Sequence, residues 1–145
     1  MGAVTAMREI KFRGRDTDGN WHYGDLLRYV SDSYDMIIPA GHANSDDLYD
    51  DVVCVDYDTV GQFTGLLDSN GQEIYEGDIL DVDGDFLAEV VYCNGSFELY
   101  TKKETLGTLS DIAYEYTCSI FDGVEKTFSV VGNIHDNPGL LERRS

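Results

Sequence analysis

The sequence predicts a mainly β protein: an N-terminal β-hairpin layer packed on a C-terminal SH3-like barrel or curved-sheet meander, with at most short helical turns. Three observations support this prediction. Apolar and polar residues alternate near the N-terminus, and short apolar runs separated by glycine-containing turns fill the second half of the chain. Ten tyrosines and six phenylalanines suit pleated, half-buried strands. A chain of 145 residues is long enough for one domain with its own core.

The N-terminal part is predicted to form a β-hairpin. Residues Arg8 to Arg13 alternate, so Ile10 and Phe12 are expected to face the core. Residues 16–20 are rich in Asp, Gly and Asn and supply the reversal, and the returning strand runs from Trp21 to Val30. The core candidates on that strand are Trp21, Tyr23 and Leu27.

Two short strands and an acidic loop are predicted next. Met36 to Pro39 is a strand that the proline should push to a sheet edge, because proline has no N–H to donate. Residues 41–51 are polar and acidic and predict a loop, and Val52 to Tyr57 predicts the following strand. Gly61 and Gly65, four residues apart, indicate close backbone approach or positive φ.

The second half predicts a compact meander joined by tight turns. Residues 68–71 (Asp-Ser-Asn-Gly), 83–85 (Asp-Gly-Asp) and 94–95 (Asn-Gly) are typical turn sequences. The strands between and after them are Asp78 to Val82, Phe86 to Tyr92, Ser96 to Thr101 and Thr127 to Val131. The pattern of residues 102–124 fits either a helix or a strand, and we expect a helical turn near Leu109 followed by a strand.

Acidic residues dominate the middle of the chain. The net charge is -18, and between Tyr29 and Thr101 there are seventeen acids and no Lys or Arg. Direct nucleic-acid binding is therefore disfavoured, because neutralising phosphates requires clustered cations. The densest acids predict an interaction surface for a protein partner, which would be basic. They are Asp46, Asp47, Asp50, Asp51, Asp56 and Asp58.

The cysteines and the lengths of the apolar runs indicate where in the cell the protein is expected. Cys54, Cys93 and Cys118 are odd in number and widely spaced, which predicts reduced thiols rather than disulfides or a zinc ribbon. No apolar run reaches the ~20 residues of a membrane span, so a cytoplasmic protein is expected.

Three segments closely resemble the YopX family of phage and prophage proteins. They are Met7 to Gly14, Gly61 to Leu80 and Val130 to Pro138. The resemblance runs from Met7 to about Leu141 and implies an origin in a phage or integrated element, without an established biochemical activity. It leaves residues 1–6 as an N-terminal extension, a misassigned start or a vector remnant. Residues 7–143 are then one domain with an N-terminal β part, 7–65, and a barrel-like part, 66–143.

The sequence motifs give little support for a catalytic or metal-binding site. Asp81 to Asp85 places oxygen ligands at alternating positions, but an EF-hand frame would put Phe86 at the glycine position and Tyr92 at the bidentate glutamate position. A hairpin turn is the better interpretation. None of the three histidines, His22, His42 and His135, stands in a recognised spacing with Cys or carboxylate.

We therefore expect a nonenzymatic protein–protein interaction module without a cofactor, which could also form homo-oligomers through open sheet edges. One alternative is an acidic mimic of nucleic acid that inhibits a host DNA-binding or defence protein. A second alternative is a metal-binding protein, with calcium held near residues 46–51, or an enzyme of unrecognised type.

Overall fold

The computed structural model describes residues 9–28, 33–39, 52–101, 105–113 and 127–141. Within these ranges eleven strands form two antiparallel sheets, and residues 109–113 are helical. The mainly β prediction is therefore confirmed. The chain divides into two compact units, Met1–Gly65 and Leu66–Ser145. We call them unit 1 and unit 2.

The first antiparallel sheet has six strands in the order β4-β3-β2-β1-β5-β6. The strands that begin in unit 1 are β1 (Phe12–Arg15), β2 (Trp21–Leu27), β3 (Tyr34–Pro39), β4 (Val53–Asp56) and β5 (Gly61–Leu67), and β5 continues two residues into unit 2. A 3-10 turn, Tyr57–Thr59, joins β4 to β5. The predicted reversal between β1 and β2 forms because Asp16 Oδ1 accepts the backbone N–H groups of Asp18 and Asn20, each at 2.9 Å.

The sheet of unit 1 curls so strongly that β4 meets β1. A Cβ added to Gly14 of β1 would lie 2.5 Å from Val55 Cγ2 of β4. These strands are three places apart in the sheet, which is roughly 14 Å in a flat arrangement. The backbone N–H of Arg15 also donates to Thr59 Oγ1 at 2.8 Å, just beyond β4. Ile37 and Val55 therefore lie on the concave side, where both are fully buried.

Several of the burial predictions for the N-terminal hairpin are wrong. Tyr23 and Leu27 were expected in the core but are 44% and 41% exposed, and Ile10 is 62% exposed. Trp21 is half-buried, and Arg13, expected in solvent, is only 6% exposed beneath it, with its guanidinium 4.6 Å from the indole ring. Alternation correctly indicated strands but not which of their side chains the curled sheet buries, since buried Arg13 and exposed Tyr23 are direct cross-strand partners.

Substituting Gly14 with alanine tests this curl. We expect Gly14→Ala to lower the free energy of unfolding by about 1–3 kcal/mol, the usual cost of overpacking, because the new methyl group overlaps Val55. Chemical denaturation measures the loss. The double variant Gly14→Ala/Val55→Ala should lose less than the sum of the two single variants, since removing the valine methyls makes room. Strict additivity would show that the two strands do not meet.

The prediction for Pro39 is wrong in one respect. β3 lies between β2 and β4 and is not at the sheet edge. Pro39 is tolerated because it is the last residue of β3, paired with Gly24.

Unit 2 contains a second antiparallel sheet, with the strand order β10-β9-β8-β7-β11. The strands of this unit are β6 (Glu73–Tyr75), β7 (Asp78–Val82), β8 (Phe86–Cys93), β9 (Ser96–Tyr100), β10 (Thr105–Thr108) and β11 (Phe128–Asn133). Its buried core consists of Ile74, Leu80, Val82, Ala88, Val90, Leu99, Leu109, Ala113 and Phe128.

The predicted meander turns are present. Asn94 and Gly95 have φ values of 53° and 85°, the positive pair of a type I′ hairpin turn between β8 and β9. Residues 83–85 reverse the chain between β7 and β8, and Asp81 Oδ1 accepts the N–H of Gly84 at 2.9 Å. The helical turn expected near Leu109 is present at residues 109–113. Most of the strand expected after it lies outside the described residues.

The SH3-like outline is not confirmed. Among the described residues, β10 and β11 are the two outer strands of an open sheet, so no closed barrel forms there. The strand register shifts between Thr105 and Gly107 and again between Val130 and Gly132. Such irregularities bend strands locally without closing a sheet.

Candidate interaction site

An open cleft of about 470 Å³ lies in unit 1 at the end of β4. It is lined by Arg15, Asp16, Thr17, Gly19, Ser33, Tyr34, Asp56, Tyr57 and Asp58. We call it the acidic cleft, because three carboxylates and one guanidinium line it.

Strand pairing and a short hydrogen-bond chain build the acidic cleft. Tyr34 of β3 is directly opposite Asp56 of β4, and the N–H of Tyr57 donates to the carbonyl of Ser33 at 3.3 Å. The Thr59 hydroxyl donates to the carbonyl of Asp56 at 2.7 Å. Because Thr59 Oγ1 also accepts the N–H of Arg15, the end of β1 is held beside the 3-10 turn.

The carboxylates at the mouth of the cleft point to solvent beside two aromatic rings. Asp56 is the N-cap of the 3-10 turn and accepts the N–H of Asp58 at 3.0 Å, and both aspartates are exposed. Tyr34 and Tyr57 are 41% and 46% exposed. Exposed tyrosine rings beside carboxylates can bind a cationic side chain by cation–π contact and ion pairing together.

Asp16 contributes a third negative charge to the cleft. A hydrogen bond from His22, whose Nε2 lies 2.8 Å from Asp16 Oδ2, lowers the pKa of the Asp16 carboxyl, and the N–H groups of Asn20 and Asp18 assist. Asp16 is therefore ionised at neutral pH. The guanidinium of Arg15 lies 6.0 Å from the Trp21 ring.

The structure places two of the six predicted surface aspartates, Asp56 and Asp58, in this cleft. The other four, Asp46, Asp47, Asp50 and Asp51, lie outside the described residues. Charge density could not identify the remaining lining residues, because strand pairing brings Tyr34 to Asp56 and a hydrogen bond brings Arg15 to Thr59.

The Asp-Ser-Asn-Gly turn of unit 2 is a structural latch. The carboxylate of Asp68 is buried and accepts three backbone N–H groups at 2.8 Å each, from Asn70, Gln72 and Val130. Ser69 adds two more bonds to β11: its hydroxyl oxygen accepts the N–H of Phe128, and its N–H donates to the Phe128 carbonyl. The turn is thereby fixed to a strand about sixty residues away in sequence.

A second carboxylate fixes the turn between β6 and β7. Asp78 is 1% exposed, and its Oδ2 accepts the N–H of Tyr75 at 2.7 Å. Gly77, inside the turn, has φ 93° and donates its N–H to the Val90 carbonyl at 2.9 Å. Its own carbonyl accepts the N–H of Ile134 at 2.9 Å. This turn therefore connects β8 to the segment that follows β11.

Asn133 organises that following segment. Its Oδ1 accepts the N–H groups of His135 and Asp136, each at 2.9 Å, and its Nδ2 donates to Asp136 Oδ2 at 3.1 Å. Asn137 Oδ1 accepts the N–H of Asn133 at 3.2 Å. The polar groups that carry the family resemblance in unit 2 thus form internal hydrogen bonds that hold turns in place.

The structure does not assemble a candidate catalytic or metal centre from the described residues. No three or more His, Cys, Asp or Glu side chains in these ranges converge as metal ligands. His22 bonds to Asp16, the N–H of His135 bonds to Asn133, and His42 lies outside the described ranges. Cys54 and Cys93 are free thiols. No helix in the described part of the chain is long and apolar enough to cross a membrane.

Glu89 of β8 is a titratable group that opposes folding. Burial raises the pKa of Glu89, and the nearby charge of Glu76 raises it further. The folded state therefore holds this proton to higher pH than the unfolded chain, so stability falls as pH rises from about 4.5, the ordinary value, through the raised pKa.

We expect Glu89→Gln to raise the melting temperature at pH 7 by a few degrees and to leave it unchanged well below pH 4.5, where the glutamate is protonated in both states. Asp25→Asn, at an exposed position of β2, removes the same charge and should have little effect at either pH. An equal gain in both variants would assign the effect to net charge alone.

Comparison with known protein families assigns the chain to a family. The model of the YopX protein family matches residues 11–142, so the chain belongs to the YopX family. Its fold is similar to the crystal structure of protein EF1440 from Enterococcus faecalis, with a TM-score of 0.51 and 24% sequence identity. The match covers 92% of this chain and 98% of the other. A search of curated proteins found no match.

Proposed function

We propose that this YopX protein is a nonenzymatic interaction module, acting in phage-infected or lysogenic bacterial cells, that binds a basic protein through the acidic cleft. The observation that supports this proposal is the cleft itself, where Asp56 and Asp58 stand exposed beside Tyr34 and Tyr57. Lysine and arginine are the side chains that such a surface complements. The sequence predicts that Asp46, Asp47, Asp50 and Asp51 belong to the same interaction surface.

The net charge of -18 favours one class of partner in particular. Proteins that bind nucleic acid present clustered Lys and Arg, and spaced carboxylates can satisfy them as phosphates do. A basic DNA-binding or defence protein of the host is therefore the second form of the proposal. Duplex DNA would compete for such a partner and leave other basic partners bound.

An affinity pull-down from host lysate tests the proposal. Wild-type bait should capture a basic protein that dissociates as salt rises, because screening weakens charge pairing. Asp56→Asn/Asp58→Asn should reduce capture by about tenfold or more, which corresponds to 1.4 kcal/mol of binding energy. The asparagine side chain introduced at position 56 would still accept the N–H of residue 58, so the turn should be preserved.

The matched control is Asp83→Asn/Asp85→Asn in the exposed β7–β8 turn, which removes the same charge. Asparagine suits position 83, where φ is 57°. If both double variants lost the same amount of partner capture, the net charge of the protein rather than the acidic cleft would explain the loss. Direct binding of duplex DNA by the protein, or capture of partners that salt does not release, would contradict the proposal.

A further inference from the structure

The strand β11 has an outer edge that is closed by side chains. Among the described residues β11 pairs with β7 and is the last strand of its sheet. In an antiparallel pair, successive residues direct their N–H and C=O groups alternately toward the partner strand and away from it. The carbonyl of Thr127 accepts the N–H of Asp83, directly after β7, at 2.6 Å. The backbone groups of Phe128 and Val130 therefore point to the outer edge.

Asp68 and Ser69 occupy this edge where a neighbouring strand would lie. Ser69 Oγ accepts the N–H of Phe128 at 2.9 Å, and the N–H of Ser69 donates to the carbonyl of Phe128 at 3.0 Å. Ser69 thus makes the two hydrogen bonds with Phe128 that a residue of a paired strand would make. Asp68 Oδ2 accepts the next outward N–H, that of Val130, at 2.8 Å.

Asn137 closes the same edge beyond the register shift in β11. The N–H of Ile134 donates to the carbonyl of Gly77, directly before β7, so Asn133, one residue earlier, points away from β7. Asn137 Oδ1 accepts the N–H of Asn133 at 3.2 Å. Gly132 permits this approach, because a Cβ at that position would lie 2.5 Å from Asn137 Oδ1.

The sequence of β11 makes this closure important. Residues 127–133 contain no charged side chain, no proline and a single glycine, and they are rich in β-branched and aromatic residues. Segments of this composition pair with copies of themselves when they are exposed at a sheet edge. Many edge strands carry lysine or proline, which prevents such pairing. Because β11 has neither, its protection falls to the side chains that cover it.

We propose that Asp68, Ser69 and Asn137 form an edge cap that keeps β11 from pairing with the β11 strand of a second copy of the chain. Two such strands related by a twofold axis form an antiparallel pair, in which each offers the same hydrogen-bonding edge to the other. No charged side chain on either strand opposes this contact. The edge cap therefore blocks an interaction surface, in addition to stabilising the fold.

The net charge acts in the same direction as the edge cap. Each copy carries a net charge of -18, so long-range repulsion opposes self-association, and salt weakens this repulsion. Pairing of uncapped β11 strands should therefore increase with salt, whereas binding of a basic partner at the acidic cleft should decrease. The opposite salt dependences distinguish this inference from the proposed function.

The double variant Asp68→Asn/Ser69→Ala tests the edge cap. The asparagine side chain introduced at position 68 keeps one oxygen for the N–H groups inside the turn, but its amide cannot accept from Val130. The alanine introduced at position 69 removes the acceptor of the Phe128 N–H. Light scattering should show that the average mass of this variant rises to about twice that of wild type or more at high protein and salt concentration. Circular dichroism with thermal melting checks that the variant is folded.

Two lysine substitutions show whether β11 is the surface that associates. Val131 is 45% exposed on β11, so adding Val131→Lys to the double variant should restore the wild-type mass, because lysine on an edge strand prevents pairing. Tyr92 is 49% exposed on β8, which is not an outer strand. Adding Tyr92→Lys supplies the same charge and should leave the association unchanged.

A stability control and a milder variant complete the test. Gly14→Ala is expected to destabilise unit 1 but leaves the edge cap intact, so it should keep the wild-type mass. Ser69→Ala alone removes one acceptor at an exposed position and should associate in the same way to a smaller extent, even if the double variant does not fold. The wild-type mass in the folded uncapped variants, equal association in Gly14→Ala, or equal suppression by Val131→Lys and Tyr92→Lys would overturn the inference.

Discussion

Replacing Asp68 with alanine is expected to lower the free energy of unfolding by about 3–5 kcal/mol, since each donor left without its charged acceptor costs roughly 1–3 kcal/mol. The carboxylate holds the N–H groups of Asn70, Gln72 and Val130. Without it the turn loses its internal bonds and its connection to β11 together. A loss of this size is a large fraction of the stability of a typical domain, about 5–15 kcal/mol.

Chemical denaturation of three variants measures this effect. Asp68→Asn keeps one carbonyl-type oxygen, which can hold the two turn N–H groups, but it replaces Oδ2 with an amide that cannot accept from Val130. It should therefore lose less stability than Asp68→Ala. Asp85→Ala, at an exposed turn position, should change stability by less than about 0.5 kcal/mol. If Asp68→Ala resembled Asp85→Ala, the latch would have no energetic importance.

Asn133→Ala is expected to cost about 2–4 kcal/mol, because two backbone donors lose their shared acceptor and the Asp136 carboxylate loses a donor. The residue is 9% exposed, so water replaces these bonds poorly. The segment after β11 should detach first, because the side chain of Asn133 accepts the N–H groups of His135 and Asp136 in that segment.

The conservative variant Asn133→Asp separates the acceptor role of the Asn133 side chain from its donor role. Asn133→Asp keeps the acceptor for His135 and Asp136 but places a carboxylate where Nδ2 lies 3.1 Å from Asp136 Oδ2. It should therefore remain destabilised at neutral pH by repulsion between the two carboxylates. Asn70→Ala, at an exposed turn position, is the matched control and should change little. Full stability of Asn133→Asp at neutral pH would contradict the assigned orientation of the amide.

Local sequence chemistry was sufficient for the meander of unit 2. The strand Asp78–Val82 was predicted with the bounds observed, and the Asn94-Gly95 turn adopts the backbone that its residues favour. The structure of these elements is determined by residues close together in sequence, so it can be predicted from one sequence alone. The SH3-like outline is not confirmed, because closure of a sheet depends on how the outer strands meet, which turn residues do not encode.

Non-local contacts explain the other errors. The inner face of β2 was misassigned because it is set by the approach of Gly14 to Val55, about forty residues apart. The role of Asp68 was hidden for the same reason, since its third hydrogen bond reaches Val130. In the acidic cleft, charge identified Asp56 and Asp58 but could not identify Tyr34, which strand pairing places beside them.

The central claim assigns binding to the acidic cleft of unit 1 and structural roles to the hydrogen-bonded turns of unit 2. Backbone amide NMR during titration with a synthetic arginine-rich peptide tests it directly. The account predicts that the largest chemical-shift changes cluster at Tyr34 and residues 56–58, while residues 68–71 and 133–136 stay unchanged. Changes concentrated at the turns around Asp68 and Asn133, with none at Asp56 or Asp58, would contradict it.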